Sequence, residues 1–380
     1  MQRTNFSPLQ HGFKFANTFV NVMADLPGFG KIETAGRCGG MSYTALDYYF
    51  NNLPVPQASS LPADGVPLAD YMLHRQTDTF MTLSAINFIT WTLHPDAPTW
   101  FAKGVHGWTI EDEFPKLRAQ LDLGRPRVLG LVTARDFAHI GYNHQVVACG
   151  YDFDPASGTI TVLIYDCNSP GIEVTLTTSP GMQGVTASNG YSWRGFFVQG
   201  YGKGSPDFLA DGTLLKEKSS SKIYVIFGGG KLLVPDMNEY IAMGYDQGTL
   251  KEVPDGALNY ISDAPGDGTL VKERGSTKNC VLYGGTRFQI PNKAAFTALG
   301  FLPGNVRTIP KGSLAGLPAL PQDGTLLREM SQAQVYMMKG ACRHWVPSPQ
   351  AFINQGFVWS NVRIVPDGGL AAIPDGGPLT

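Results

Sequence analysis

The chain has 380 residues, with 29 Lys and Arg against 31 Asp and Glu, and only 16% charged residues beside 43% hydrophobic ones. At roughly 150 residues per domain this length gives two or three domains, and an apolar-rich, charge-poor composition excludes a chain that is disordered throughout. A net charge of −2 without any Lys/Arg block lacks the electrostatic footprint of a nucleic-acid binder, and no stretch reaches the ~18 uninterrupted apolar residues of a membrane span.

The residues Met1–Phe6 lack the apolar core of a signal peptide, so a cytoplasmic protein, or one exported without a cleaved signal, is expected. From Gly36 the segment Gly-Arg-Cys-Gly-Gly-Met-Ser-Tyr-Thr-Ala-Leu-Asp-Tyr-Tyr-Phe50 puts Met41, Ala45 and Tyr48 at helical spacing behind a glycine-rich turn, which places Cys38 at a helix N-terminus. Glycines at 36, 39 and 40 are expected to let the backbone turn tightly and bring substrate close to the sulfur. Leu68–Leu93 reads as a helix or helix pair, and Thr109-Ile-Glu-Asp112 resembles a capping box opening a helix that runs to about Leu121. Gly124-Arg-Pro126 stops that helix and launches a buried strand, Arg127–Thr133. His144–Cys149 and Thr159–Asp166 follow as an antiparallel hairpin across a turn rich in Asp, Pro, Ser and Gly.

Five cysteines (Cys38, Cys149, Cys167, Cys280 and Cys342) without a C-x-x-C pair predict free thiols, and the seven histidines show no metal-ligand spacing; neither metal nor cofactor is expected. The thiolate is the nucleophilic form of cysteine, and a helix N-terminus or a neighbouring imidazolium favours it. His144 opens one strand of the hairpin, while Asp166 and Asn168 end the other, so antiparallel pairing makes them neighbours. Asp166 and Asn168 stand two apart and point to one face; either can orient the imidazole.

These residues resemble the papain-like cysteine peptidases: a cysteine at the start of a central helix, then Asn143-His144, Gly150-Tyr151 and Asn168-Ser-Pro-Gly171 on a following sheet. Tyr165-Asp166-Cys167 and Leu123-Gly-Arg-Pro126 resemble the double-glycine, bacteriocin-processing branch, in which an Asp orients the histidine. The resemblance implies a Cys38-His144-Asp166 or Cys38-His144-Asn168 acyl-enzyme mechanism on a protein or peptide substrate. It departs from the papain pattern where Ile32 replaces the oxyanion glutamine and Gly39 the tryptophan after the cysteine. Asn17 is taken as the oxyanion donor, ahead of Asn21 and Gln10. Cys38 lies near the start of the chain, so a long inhibitory prosegment is not expected. The same constellation can serve a deamidase, a transglutaminase or an acyltransferase.

Beyond this region the chain repeats itself. Asp211-Gly-Thr-Leu-Leu-Lys-Glu217, Asp267-Gly-Thr-Leu-Val-Lys-Glu273 and Asp323-Gly-Thr-Leu-Leu-Arg-Glu329 are 56 residues apart, and Pro235, Pro291 and Pro347 keep the register. Each copy reads as three short strands and a helix opened by Pro235-Asp236 or its counterpart. Three copies are few, so closure in pseudo-threefold symmetry is expected over linear stacking. Lys231, Arg287 and Arg343 read as solvated strand residues, and the Asp-Gly pairs as turns. The expected architecture is α+β: a papain-like domain over 1–203, with a central helix on an antiparallel sheet; a linker over 204–210; and a β-rich domain over 211–380, divided 211–266, 267–322 and 323–380. The second domain is expected to target the enzyme or to bind a carbohydrate or cell-surface ligand. A glycan- or surface-binding protein without catalysis is the rival reading.

Overall fold

The computed structural model describes residues 1–26, 30–81 and 83–379, without the side chains of 20–35 and 81–84; the side chains of Asn21 and Ile32 lie outside the described residues. Met1–Asn51 with Gln57–Pro206 forms one compact unit, and Asn52–Pro56 with Asp207–Thr380 forms another.

The first unit is α+β. A short strand β1 (Gln2–Arg3) and one helical turn α1 (Pro8–His11) precede an antiparallel hairpin of β2 (Val20–Leu26) and β3 (Gly30–Ala35). Helix α2 (Cys38–Phe50) is buried continuously from Gly39 to Tyr48, and a helix enclosed on all sides packs through every face. It lies against α3 (Pro67–Met81) and β5 (His144–Asp154), and α3 is followed by α4 (Leu83–Leu93). Helix α5 (Val105–Gly107) runs through a π-helical turn over Trp108–Glu113 into α6 (Phe114–Asp122). The capping box expected at Thr109 is absent. The Thr109 hydroxyl lies inside this helical run and bonds the Val105 carbonyl (3.1 Å) and the backbone of Phe196, tying the helix to a strand instead of starting it.

The sheet adds β4 (Arg127–Val132), β6 (Thr159–Tyr165), β7 (Val174–Thr178), β8 (Val185–Ala187), β9 (Ser192–Trp193) and β10 (Gly195–Val198) to β5, in the order β10-β4-β5-β6-β7-β8-β9, with β1 pairing on β5. All of its pairs are antiparallel. Phe114, Leu117 and Leu121, on one face of α6, pack on Leu129, Leu131, Val146, Ala148, Val162 and Ile164. Alternate strand positions supply that layer because side chains alternate across a sheet. In the hairpin Val147 faces Tyr165, so the start of β5 and the residue just after β6 share one end of the sheet.

A buried carboxylate fixes the end of this unit. Asp47, fully buried in α2, accepts from the Tyr71 hydroxyl (2.8 Å), the Tyr201 hydroxyl (2.6 Å) and the Gly204 amide (2.7 Å), and pairs with Arg75. Tyr201–Gly204 is therefore held on α2, although the expected linker begins at Gly204.

The second unit contains three sheets of matching strand order. The first is β13-β12-β11-β14, built from β11 (Leu214–Glu217), β12 (Ile223–Phe227), β13 (Gly230–Val234) and, after helix α7 (Met237–Ala242), β14 (Leu250–Val253). The second uses β15 (Leu270–Glu273), β16 (Cys280–Tyr283), β17 (Thr286–Gln289), α8 (Lys293–Ala298) and β18 (Arg307–Ile309). The third uses β19 (Leu326–Glu329), β20 (Val335–Lys339), β21 (Cys342–Trp345), α9 (Pro349–Asn354) and β22 (Val362–Val365), with β23 (Asp375–Pro378) added beside β21. In each, the strand after the helix pairs in parallel with the first strand, a feature outside the sequence reading. Asp236, Asn292 and Ser348 cap the three helices by accepting from the third amide beyond them.

The sheets stack in line. Leu214, Val225 and Leu232 of the first share a core with Val271, Leu282 and Ile309 of the second. Leu270, Val281 and Phe288 of the second share the next core with Leu327, Met338 and Val365 of the third. The outer face of the third packs on Leu379 from its own tail, and among the described residues no core cluster joins first to third. Linear stacking replaces the expected closure. Lys231 and Arg343 are half-buried, while Arg287 is exposed as expected; all three cationic ends donate to carbonyls, those of Leu258 and Ile261, of Leu370 and of Leu314 respectively.

Candidate active site

Cys38 is the first residue of α2 and partly exposed, and its sulfur lies close enough to the imidazole of His144 to raise that ring's pKa. His144, the first residue of β5, is 5% exposed, and its Nε2 lies 2.8 Å from Asp166 Oδ1. Because Nε2 faces the carboxylate, Nδ1 is the nitrogen left for the sulfur. Asp166 follows β6 directly. Its Oδ1 also accepts from the Asn168 amide (2.9 Å), and its Oδ2 from Asn189 Nδ2 (2.9 Å).

Burial pulls the imidazole pKa down, but the hydrogen bonds and charges of Asp166 and Cys38 outweigh it and raise it to about 10. For Asp166, burial pushes the carboxyl up, yet His144 and the Asn168 and Asn189 donors hold it below the ordinary range. Asn168 contacts the group through its backbone; its side chain is exposed, and the imidazole faces Asp166.

Asn17 precedes the β2–β3 hairpin and is brought back to the turn before Cys38. Its Oδ1 accepts from the Arg37 amide at 2.6 Å, which leaves Nδ2 as the donor. A Cβ built on Gly36, whose φ of +102° is a glycine conformation, would lie 2.3 Å from that Nδ2. Gln10 stands exposed on α1. Gly39 and Gly40 lie within α2 and form no substrate-facing turn; they are small because Gln145 and the α3 backbone approach there.

Residues that the sequence reading passed over complete the site. The Trp193 ring stacks on His144, with centroids 5.7 Å apart and planes 13° from parallel. Arg37, buried just before Cys38, donates to the Ala69 carbonyl (2.9 Å) and to Asp64 Oδ1 (2.5 Å), and lies 4.2 Å over the Phe19 ring. An uncharged environment does not usually bury an arginine, and the unexplained Arg beside Cys38 was the one signal available.

Cys167 brings a second sulfur close: its Sγ, a His144 nitrogen and an Asp166 oxygen lie within 4.8 Å of one another. Burial pushes the Cys167 thiol well up, so it stays protonated, and His144 and Asp166 already satisfy one another by hydrogen bond. All five cysteines are free of disulfides. Among the described residues no helix is long and apolar enough to cross a membrane.

No family model matches the chain, and no curated protein matches it. Among solved structures, the periplasmic assembly from the ESX-5 inner membrane complex aligns at 14% identity over 47% of this chain and 62% of that chain, with a TM-score of 0.13. So low a score carries no argument. The comparisons assign no family.

Proposed function

We propose that the first unit is a thiol hydrolase of papain-like type that cleaves peptide bonds, and that the second unit serves it in targeting or binding. The observation that carries this reading is the grouping of Cys38, His144 and Asp166, in which His144 bonds Asp166 at 2.8 Å and the Cys38 sulfur, at a helix start and partly open to solvent, acts on the same imidazole. In this mechanism the Cys38 proton passes to His144 Nδ1, and Sγ attacks the substrate carbonyl to give an acyl-enzyme. His144 then protonates the leaving amine, takes a proton from water, and so directs hydrolysis of the acyl group. Asp166 holds the ring and stabilises the imidazolium, while Trp193 limits its rotation. The Cys38 amide and Asn17 Nδ2 are placed in the role of oxyanion donors.

The test uses an electrophilic thiol reagent on the full chain, with the adduct mapped by peptide mass analysis, and a peptide library for turnover. Selective labelling of Cys38, turnover abolished in Cys38→Ala, and a 10²–10³-fold loss in Asn17→Ala are expected. Labelling spread equally over the cysteines, or full turnover in Cys38→Ala, would overturn the proposal. Product masses separate hydrolysis from deamidation or acyl transfer.

A further inference from the structure

Where the second sheet meets the first, a cavity of about 320 Å³ is lined by residues that include Asp211, Thr269, Phe301, Leu302, Asn305 and Arg307. At the junction of third and second, the corresponding residues are Asp267, Thr325, Phe357, Val358, Asn361 and Arg363, identical in type except for Val358 in place of Leu302. In the first sheet's segment, which follows no other copy, the asparagine and arginine positions hold Thr249 and Lys251. The pattern thus tracks the junction.

The arginine is engaged in the same way at both places: Arg307 Nε donates to Asp211 Oδ2 at 3.0 Å, and Arg363 Nε to Asp267 Oδ2 at 2.9 Å. These pairs are partly exposed, and pairs of that kind add little stability, so glue alone is a weak reason to keep them. The asparagines are more telling. Among the described residues neither carboxamide hydrogen-bonds the chain, and neither backbone takes the positive φ that would call for Asn. An asparagine at both junctions, exposed at 305 and half-buried at 361, is left with its carboxamide available to a ligand.

We propose that each junction groove binds one unit of a neutral, repeating saccharide polymer. The ion pair cancels its own charge yet presents both donors and acceptors. Asn305 adds one more of each, and Phe301 with Leu302 offers an apolar edge to a sugar's C–H face. That mixture suits a polyhydroxylated ring and gives no net attraction to an anion. The same residue set recurs at the next junction, and two such sites in line suit a polymer, because the second contact then forms at high effective concentration. This deepens the binding role of the second unit and does not depend on the thiol chemistry.

The experiment uses the full chain carrying Cys38→Ala, so that no turnover interferes, on an array of neutral and acidic oligo- and polysaccharides. Retention on neutral glycans is expected. Asn305→Ala or Asn361→Ala alone should weaken apparent affinity about 10-fold and the double variant about 10²-fold or more, with an unchanged melting temperature. Binding to acidic glycans alone, no binding at all, undiminished binding in the double variant, or a lowered melting temperature in that variant would each overturn the proposal. Cys38 labelling, scored separately on the unmutated chain, keeps the fate of the hydrolase reading distinct.

Discussion

Asp166 gathers more donors than ring orientation alone requires. His144 and the Asn168 amide share Oδ1, and Asn189 reaches both Oδ2 and the Ser169 hydroxyl, so the carboxylate's position is fixed from three sides. Replacing it by Asn keeps the shape but removes the charge that stabilises an imidazolium. Turnover in Asp166→Asn is expected to fall by about 10⁴-fold, as when a triad carboxylate is removed, whereas Asn168→Ala, which trims an exposed side chain, should leave turnover essentially unchanged; steady-state kinetics of the two variants check this. The same group sets a pH dependence. His144 has a folded pKa raised to about 10, so its contribution to stability is complete below the unfolded imidazole value, ~6.5, and is lost as pH rises through about 10. Asp166 has a lowered folded pKa, so its contribution is present above the unfolded carboxyl value, ~3.9, and is lost as pH falls through the folded one. The stability gap between the parent chain and Asp166→Asn should therefore be widest between about pH 4 and 6.5 and shrink on either side. Urea unfolding across that range measures it, and a gap that does not change with pH would refute the coupling.

Helix α2 reaches its neighbours most closely at its first turn. A Cβ on Gly40 would lie 2.0 Å from the Met72 carbonyl oxygen, which belongs to the α3 backbone; on Gly39 it would meet Gln145 Oε1 at 1.8 Å, the end of a buried side chain whose Nε2 donates to Gln199. Gly40→Ala must push α3 away, and a net loss of about 1–3 kcal/mol is expected even though Ala favours a helix interior by ~1 kcal/mol over Gly. Gly39→Ala should cost less, since it displaces a side chain and its bond to Gln199 where Gly40→Ala displaces backbone; denaturant midpoints of both variants rank them. These glycines were read as a loop for substrate because their nearest partners, Met72 on α3 and Gln145 on β5, are distant in the chain, and local sequence does not show such approaches. What was legible had local causes. Strand alternation and a turn rich in Asp and Gly marked the hairpin that joins His144 to Asp166, and apolar spacing after Gly36 marked the helix that begins at Cys38. Asn189 enters from a turn and Trp193 from the two-residue edge strand β9, and β14, β18 and β22 pair with strands more than thirty residues earlier, so none left a periodic trace.

Linear stacking makes the second unit's cooperativity a nearest-neighbour matter. In a closed ring every interface would support every other; in a stack, a defect weakens the sheets on either side of it and leaves the remainder to its own contacts. Leu327 is fully buried in the core shared by the second and third sheets, and takes no part in the core shared by first and second. Leu327→Ala is expected to cost about 2–5 kcal/mol at that interface. Amide hydrogen exchange locates the damage. Protection should fall across β19, β20 and β22 and across the second-sheet strands facing them, while β11, β12 and β13, held through Leu214, Val225 and Leu232, keep theirs. Equal loss in all three sheets would mean that the unit unfolds as one body. Such behaviour needs a contact between first and third that the cores do not contain, and it would restore closure as the arrangement in solution.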